Sequence, residues 1–174
     1  RIYFNMKDVL KAAKSLLKNS KKMSRSKGYR YDCVDVVRQV MQNYARLLLK
    51  KTAKSYEAKD ASAFKKNSEE FLSLIKDTDT LLATQKDFMF GTWQNDALKK
   101  GAQTKGEKLY EYSARLLLTT WVYKGTNLSD YSHRQWSGLM NDFYAMRWKH
   151  YFEQLSRSLA QKKNAPHYNG LNKE

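Results

Sequence analysis

The chain has 174 residues, 41% of them hydrophobic and 13% aromatic, which is enough for one core-bearing domain and far from the composition of a disordered segment. A formal charge of +16 leaves a polyanion binder open, whereas no apolar run reaches membrane-spanning length and no charged start leads into a short apolar core as in a signal peptide. Cys33 is the single cysteine, so an internal disulfide framework is excluded, and His133, His150 and His167 lack metal-ligand spacing with it.

Glycine is rare and Pro166 is the only proline, so almost no position is barred from a helix interior. The expected fold is all-α: one helical-bundle domain over 1–174, with about six helices and no sheet. A first helix is expected at about 5–19, where Lys7, Lys11, Lys14 and Lys18 recur opposite Met6, Val9, Leu10, Ala13, Leu16 and Leu17. That spacing reads as a solvated face rather than a phosphate-binding stripe, which would use arginine forks more heavily.

A polar stretch ending at Gly28 precedes a long second helix, from about 31 into the fifties, with Val34, Val37, Val40, Met41, Tyr44, Leu47 and Leu48 at helical spacing. Cys33, beside Val34, reads as a small buried hydrophobe rather than a nucleophile. Asp60 is placed to cap a third helix that buries Phe64, Phe71, Leu72, Ile75 and Leu82. A short fourth helix, about 86–99, carries Phe88, Phe90 and Trp93, and a fifth is expected at about 106–123.

The sixth helix is expected to run uninterrupted over about 129–162, roughly 50 Å at the α-helical rise. Its apolar residues form two stripes, Trp136, Leu139, Phe143 and Met146 on one side and Met140, Tyr144, Trp148, Tyr151, Phe152 and Leu155 on the other. A helix apolar on two faces has neighbours on both, and aromatic stripes at this spacing build cores more often than ligand sites. Arg147, between Met146 and Trp148, then needs a partner, and Asp32, Asp35 and Asp142 are the candidates.

Catalytic constellations are scarce. Acid pairs occur (Asp32 and Asp35, Glu69 and Glu70, Asp77 and Asp79, Glu107 and Glu111), and glycosidic cleavage requires two carboxylates, but helical proteins scatter such pairs on their surfaces. There is no glycine-rich phosphate loop, nucleophile elbow or metalloprotease helix motif. No catalytic residue, metal or organic cofactor is expected within the chain.

Four segments in order, "YRYDCVDVVRQV", "LLATQKDFMFGTWQNDA", "YEYSARLLLTTW" and "LSDYSHRQWSGLMNDFYAMRWKHYF", resemble the C-terminal helical domain of the α-N-acetylglucosaminidases, glycoside hydrolase family 89. The resemblance covers nearly everything from Arg30 to Leu155. It implies that the chain is the C-terminal part of a larger multidomain enzyme, with helical-domain residues also preceding Arg1. The two catalytic glutamates would lie upstream in a TIM-like barrel, and the substrate cleft between barrel and helical domain. Such enzymes remove terminal α-linked N-acetylglucosamine, as in heparan sulfate, with retention of configuration and without a metal or cofactor. Partners implied are the barrel and the glycan, with no nucleic acid; the location implied is extracytoplasmic (periplasmic, secreted or lysosomal), and the sequon at Asn127 does not decide it.

Carried over residue by residue, Tyr31, Asp32, Asp35, Arg38 and Gln39 match the family's Tyr-Asp-x-x-Asp-x-x-Arg-Gln pattern. Asp32 and Asp35 are placed to orient an arginine from another element as readily as to touch substrate, and Asp35, Arg38 and Arg147 are structural ion-pair candidates. Tyr31, Asp32, Arg115 and Trp121 are the candidates for lining the cleft or meeting the barrel, Arg115 through a bidentate grip on a carboxylate and Trp121 through a flat face; for Arg115 and Trp121, packing remains an equal alternative. Ser113, Leu116, Leu117 and Val122 depart from the family, replacing two amides, a further asparagine and a glycine, which predicts an altered glycan preference. A domain cut from its barrel should expose an apolar-aromatic face and self-associate through it. The rival readings are a basic nucleic-acid-binding module, which would gather arginines and aromatics on one exposed face, and a purely structural scaffold.

Overall fold

The computed structural model describes residues 4–121 and 131–162. Among the described residues the fold is all-α, with seven helices: α1 (Met6–Lys18), α2 (Ser20–Met23), α3 (Lys27–Glu57), α4 (Ala61–Leu82), α5 (Phe90–Ala102), α6 (Glu107–Leu118) and α7 (Ala145–Ala160). A 3-10 turn (Lys86–Phe88) precedes α5 and a π-helical turn (Met140–Tyr144) leads into α7. Among the described residues extended backbone pairs at an isolated bridge between Met89 and Ser137.

Capping chemistry sets the helix starts. Asn5, Ser26 and Asp60 each accept a backbone N–H of the first turn, from Lys7, Tyr29 and Ala63, satisfying donors that have no intrahelical partner. Ser26 therefore starts α3 at Lys27, one turn earlier than the apolar periodicity alone suggests. The turn into α4 closes at Lys59, whose φ is 57°, with Lys59 N–H bonded to Tyr56 O and Asp60 N–H to Ser55 O; this is a Schellman closure made without the usual glycine.

α1 packs on α3, α3 on α4, and α4 on α7. The core lies between α3, α4 and α7, where Leu48, Phe64, Leu82, Phe71, Ile75, Phe152 and Leu155 are buried. Phe71 meets Trp148 and Phe152 edge-to-face at 5.0 and 5.7 Å, the arrangement aromatic quadrupoles favour. Each of these large side chains contributes about 1.5 to 3 kcal/mol by leaving water.

α5 and α6 form a hairpin of their own. Its turn needs Gly101, because a Cβ there would stand 2.7 Å from Glu107 Cα. Trp93 Nε1 donates to Ala114 O at 3.0 Å and Gln94 Nε2 to Glu111 Oε1 at 3.1 Å, lacing the two helices together.

Three expectations are corrected. The last helix does not run through residues 131–138. Ser137 N–H bonds to Phe88 O and Ser137 O accepts Phe90 N–H, so these groups are withheld from a helical ladder, and Gly138 takes a left-handed φ of 92°. Residues 129 and 130, the sequon and Val122 lie outside the described residues. α6 ends at Leu118 rather than 123, and Trp121 has a φ of 66°, incompatible with continuing the helix. Cys33 is only partly buried, on the side of α3 where Tyr29 lies; the nearby thiol, with some burial, pushes the Tyr29 phenol up to about 12.

The two-stripe reading of the C-terminal segment holds except at Met146. Met140, Phe152 and Leu155 are buried against α4, and Tyr144 and Trp148 pack beside them; on the other side Leu139 is buried and Trp136 packs against the core, and only the end of that stripe fails, Met146 being 58% exposed. The exterior is not uniformly polar: Leu109, Tyr112, Leu117, Trp93 and Leu98 on the α5–α6 hairpin are exposed, as is Tyr131.

Candidate functional site

Tyr31, Arg38 and Trp121 lie along the segment 131–137, which runs without helix past α3, α4 and the start of α5. Its far end is anchored by Asp79 of α4. That carboxylate accepts Gly138 N–H at 2.7 Å and Asn141 N–H at 3.1 Å through Oδ1, and the Ser137 hydroxyl at 3.1 Å through Oδ2. Asp79 thus caps, from another helix, the donors that open the turn into α7.

The middle of the segment is held from α3. Arg38 donates to Asp35 Oδ1 through Nε at 3.0 Å and Nη2 at 2.6 Å, and through Nη1 to Gln135 Oε1. The expected ion-pair role of Asp35 and Arg38 is therefore realised within one helix, and not as a clamp on an arginine from another element. Asp32 is exposed and takes part in none of the ion pairs formed among the described residues. Arg147 lies over the Phe143 ring with its guanidinium carbon 5.2 Å from the centroid, an attraction between cation and ring quadrupole.

A cleft of about 280 Å³ opens between α3 and the segment, lined by Arg38, Gln42, Phe88, His133, Arg134, Gln135 and Trp136. Tyr31 stacks on Phe88 at its edge, with centroids 4.8 Å apart and planes at 25°. Among the described residues no carboxylate lines the cleft. Those residues offer guanidinium, imidazole and amide groups to hydrogen-bond acceptors. Among the described residues no group of three or more His, Cys, Asp or Glu is placed to hold a metal ion, and no helix is long and apolar enough to cross a membrane.

The near end of the segment brings Tyr131 to Trp121, ring centroids 5.2 Å apart and planes at 47°. Trp121 follows the end of α6, where its N–H reaches Leu116 O at 2.8 Å, and its left-handed φ of 66° is an outlier for a bulky side chain. Tyr131 is 68% exposed. The pair presents aromatic surface at a backbone position that costs about 1 to 2 kcal/mol to hold. Arg115 on α6 is exposed and grips Glu111 one turn earlier, Nη2 to Oε2 at 2.8 Å. The bidentate-capable arginine is thus occupied by a carboxylate of its own helix.

The structure therefore brings Tyr31 and Arg38 to one cleft and Trp121 to the end of the same crossing segment, and leaves Asp32, Arg115 and Arg147 outside that cleft. Sequence reasoning missed Tyr131, Gln135, Asp79 and Gly138 as parts of the arrangement. Only Gly138 carried a local signal, as a glycine inside an otherwise helical pattern.

A family model described as the alpha-N-acetylglucosaminidase (NAGLU) C-terminal domain matches residues 1–173. Human alpha-N-acetylglucosaminidase is 30% identical over 161 residues, covering 92% of this chain and 22% of that protein. Among solved structures, a family 89 glycoside hydrolase from Clostridium perfringens in complex with PUGNAc superposes with a TM-score of 0.88 at 32% identity, over 97% of this chain and 20% of the other. A variant from Clostridium perfringens with two glutamates replaced by glutamine, in complex with its substrate GlcNAc-alpha-1,4-galactose, gives a TM-score of 0.89 at the same identity and coverage. The chain spans about a fifth of the length of these relatives.

Proposed function

Because the chain belongs to the family of alpha-N-acetylglucosaminidase C-terminal domains, we propose that it is the helical domain of a retaining α-N-acetylglucosaminidase and completes the cleft for a terminal α-linked N-acetylglucosamine. The two carboxylates of the reaction come from a catalytic barrel elsewhere in the parent protein, against which this domain packs. The observation that carries the reading is the pairing of Trp121 with exposed Tyr131 on a strained backbone. Such a pair offers the apolar face of a sugar ring a flat surface with a polar rim, and backbone strain of this kind clusters at ligand sites.

The roles divide accordingly. Trp121 and Tyr131 line the sugar cleft, Tyr31 borders the separate Arg38 cleft, and Arg115 braces α6 through Glu111. The exposed apolar residues of the α5–α6 hairpin support a further packing partner, taken here to be the barrel, with self-association the outcome where the barrel is missing. Leu117 is exposed and Leu116 half-buried, where the family carries hydrogen-bonding groups. With Ser113 this favours a neutral, galactose-linked terminus over a glycosaminoglycan end. The extracytoplasmic location of the parent rests on the family alone.

The test is turnover of an aryl α-N-acetylglucosaminide by the intact parent protein and by this chain alone. Turnover by the parent and none by the chain is expected. Turnover by the chain would place the catalytic carboxylates here, on a pair such as Glu107 and Glu111, and overturn the reading.

A further inference from the structure

We infer that Asp79 is a positioning residue for the sugar-binding aromatic pair, acting through the crossing segment 131–137. The inference rests on the assignment of Trp121 and Tyr131 to the cleft, and it is carried by how the segment is tethered. Tyr131, at one end, is exposed and touches Trp121. At the other end a single carboxylate collects three donors, Gly138 N–H, Asn141 N–H and the Ser137 hydroxyl. Between them the segment has no helical or sheet ladder; its contacts include a backbone bridge to Met89, Arg38 at Gln135 and Trp93 beside Trp136. Its path is therefore set by side-chain anchors, and Asp79 is the one that fixes where the segment stops and the turn into α7 begins.

A residue that merely stabilised the bundle would not need to sit there. Asp77, two residues earlier on α4, is exposed and makes none of these bonds. Gly138, the residue Asp79 grips, is in the left-handed region, with Phe90 Cβ 3.5 Å from where a Cβ would stand. The chain reverses there only because an acceptor awaits the freed N–H groups. Without that acceptor the local pattern of 136–146, which is helical in period, is free to extend α7 backwards and draw Tyr131 off Trp121.

The consequence is a defect in binding rather than in chemistry. The reacting carboxylates lie elsewhere, so loosening an aromatic platform that holds the sugar in ground and transition state alike raises KM and leaves kcat. A purely structural role reduces the amount of folded enzyme, which lowers apparent kcat and leaves KM.

The experiment is steady-state kinetics of the intact parent carrying Asp79→Ala, Asp79→Asn or Ser137→Ala, beside the unsubstituted enzyme and Trp121→Ala, below the melting temperature of each. Asp79→Ala is expected to raise KM at least tenfold with kcat within twofold. Asp79→Asn keeps an acceptor oxygen for Gly138 and is expected to restore most of the loss, and Ser137→Ala, which removes one donor only, to raise KM about threefold. Unchanged KM in both Asp79→Ala and Ser137→Ala, with Trp121→Ala impaired, overturns the inference and leaves the cleft assignment standing. An unimpaired Trp121→Ala, or an inactive parent, overturns the cleft assignment and this inference with it.

Discussion

Gly138 donates its backbone N–H to the Asp79 carboxylate at 2.7 Å across a sequence separation of 59 residues. This one bond joins the end of α4 to the start of the turn into α7 and determines that the aromatic-rich C-terminal segment is not one continuous helix.

Substituting either partner should destabilise the fold. Gly138→Ala places a Cβ on a residue with φ 92° and is expected to cost about 1 to 2 kcal/mol. Asp79→Ala leaves three donors without their charged acceptor and is expected to cost about 2 kcal/mol, against about 0.5 kcal/mol or less for exposed Asp77→Ala. Urea unfolding of the three variants checks this; equal midpoints for Asp79→Ala and Asp77→Ala would contradict it.

The α3, α4 and α7 core should respond far more strongly. Leu48 is fully buried among these helices, and Leu48→Ala is expected to lose about 3 kcal/mol through transfer and cavity terms. Exposed Leu47, its chain neighbour, is expected to lose little. Thermal melts of Leu48→Ala and Leu47→Ala separate the two.

Arg38→Lys should be more damaging than its conservative appearance suggests. A lysine cannot reproduce the forked grip on Asp35 together with the bond to Gln135. About 1 kcal/mol is expected to be lost, while Arg46→Lys at an exposed position stays neutral. Denaturant midpoints give the comparison, and a neutral Arg38→Lys would show that the anchor is not formed in solution.

The Tyr44 hydroxyl donates to the Glu70 carboxylate, and this bond, with some burial and the nearby negative charge, raises the phenol above its ordinary range. The folded state therefore holds the Tyr44 proton more tightly than the unfolded chain does. The linked stability is complete below the unfolded value of 10.0 and fades as pH rises through the folded one. Tyrosinate absorbance should show two late-titrating phenols, Tyr29 and Tyr44, of which one is lost in both Tyr44→Phe and Glu70→Gln; two late phenols remaining in both variants would contradict the assignment.

Helix existence, the Asp60 cap and the buried face of α4 were legible in the sequence because each is a local matter of period and capping; on α3 the period located Val34 and Leu48 but also took in Tyr44 and Leu47, which are exposed. The segment before α7 was not. Trp136, Leu139, Phe143 and Met146 keep a helical period straight through it, and what breaks the helix is an acceptor on α4 and a bridge to Met89, both distant in sequence. The site was half legible for the same reason. The Asp35 and Arg38 ion pair is a neighbour relationship on one helix, whereas Gln135 reaches Arg38 over 97 residues and Tyr131 reaches Trp121 through a stretch with no periodic signal. The ring of Phe143, one turn before Arg147, stands under its guanidinium, a neighbour that charge pattern alone does not indicate.

The most direct test of the account is the KM of the intact parent protein for an aryl α-N-acetylglucosaminide before and after Trp121→Ala. The account predicts at least a tenfold rise, because Trp121 and Tyr131 together form a wall of the sugar site. An unchanged KM in a folded, active variant would mean that this domain stands outside the cleft, and would contradict the central claim.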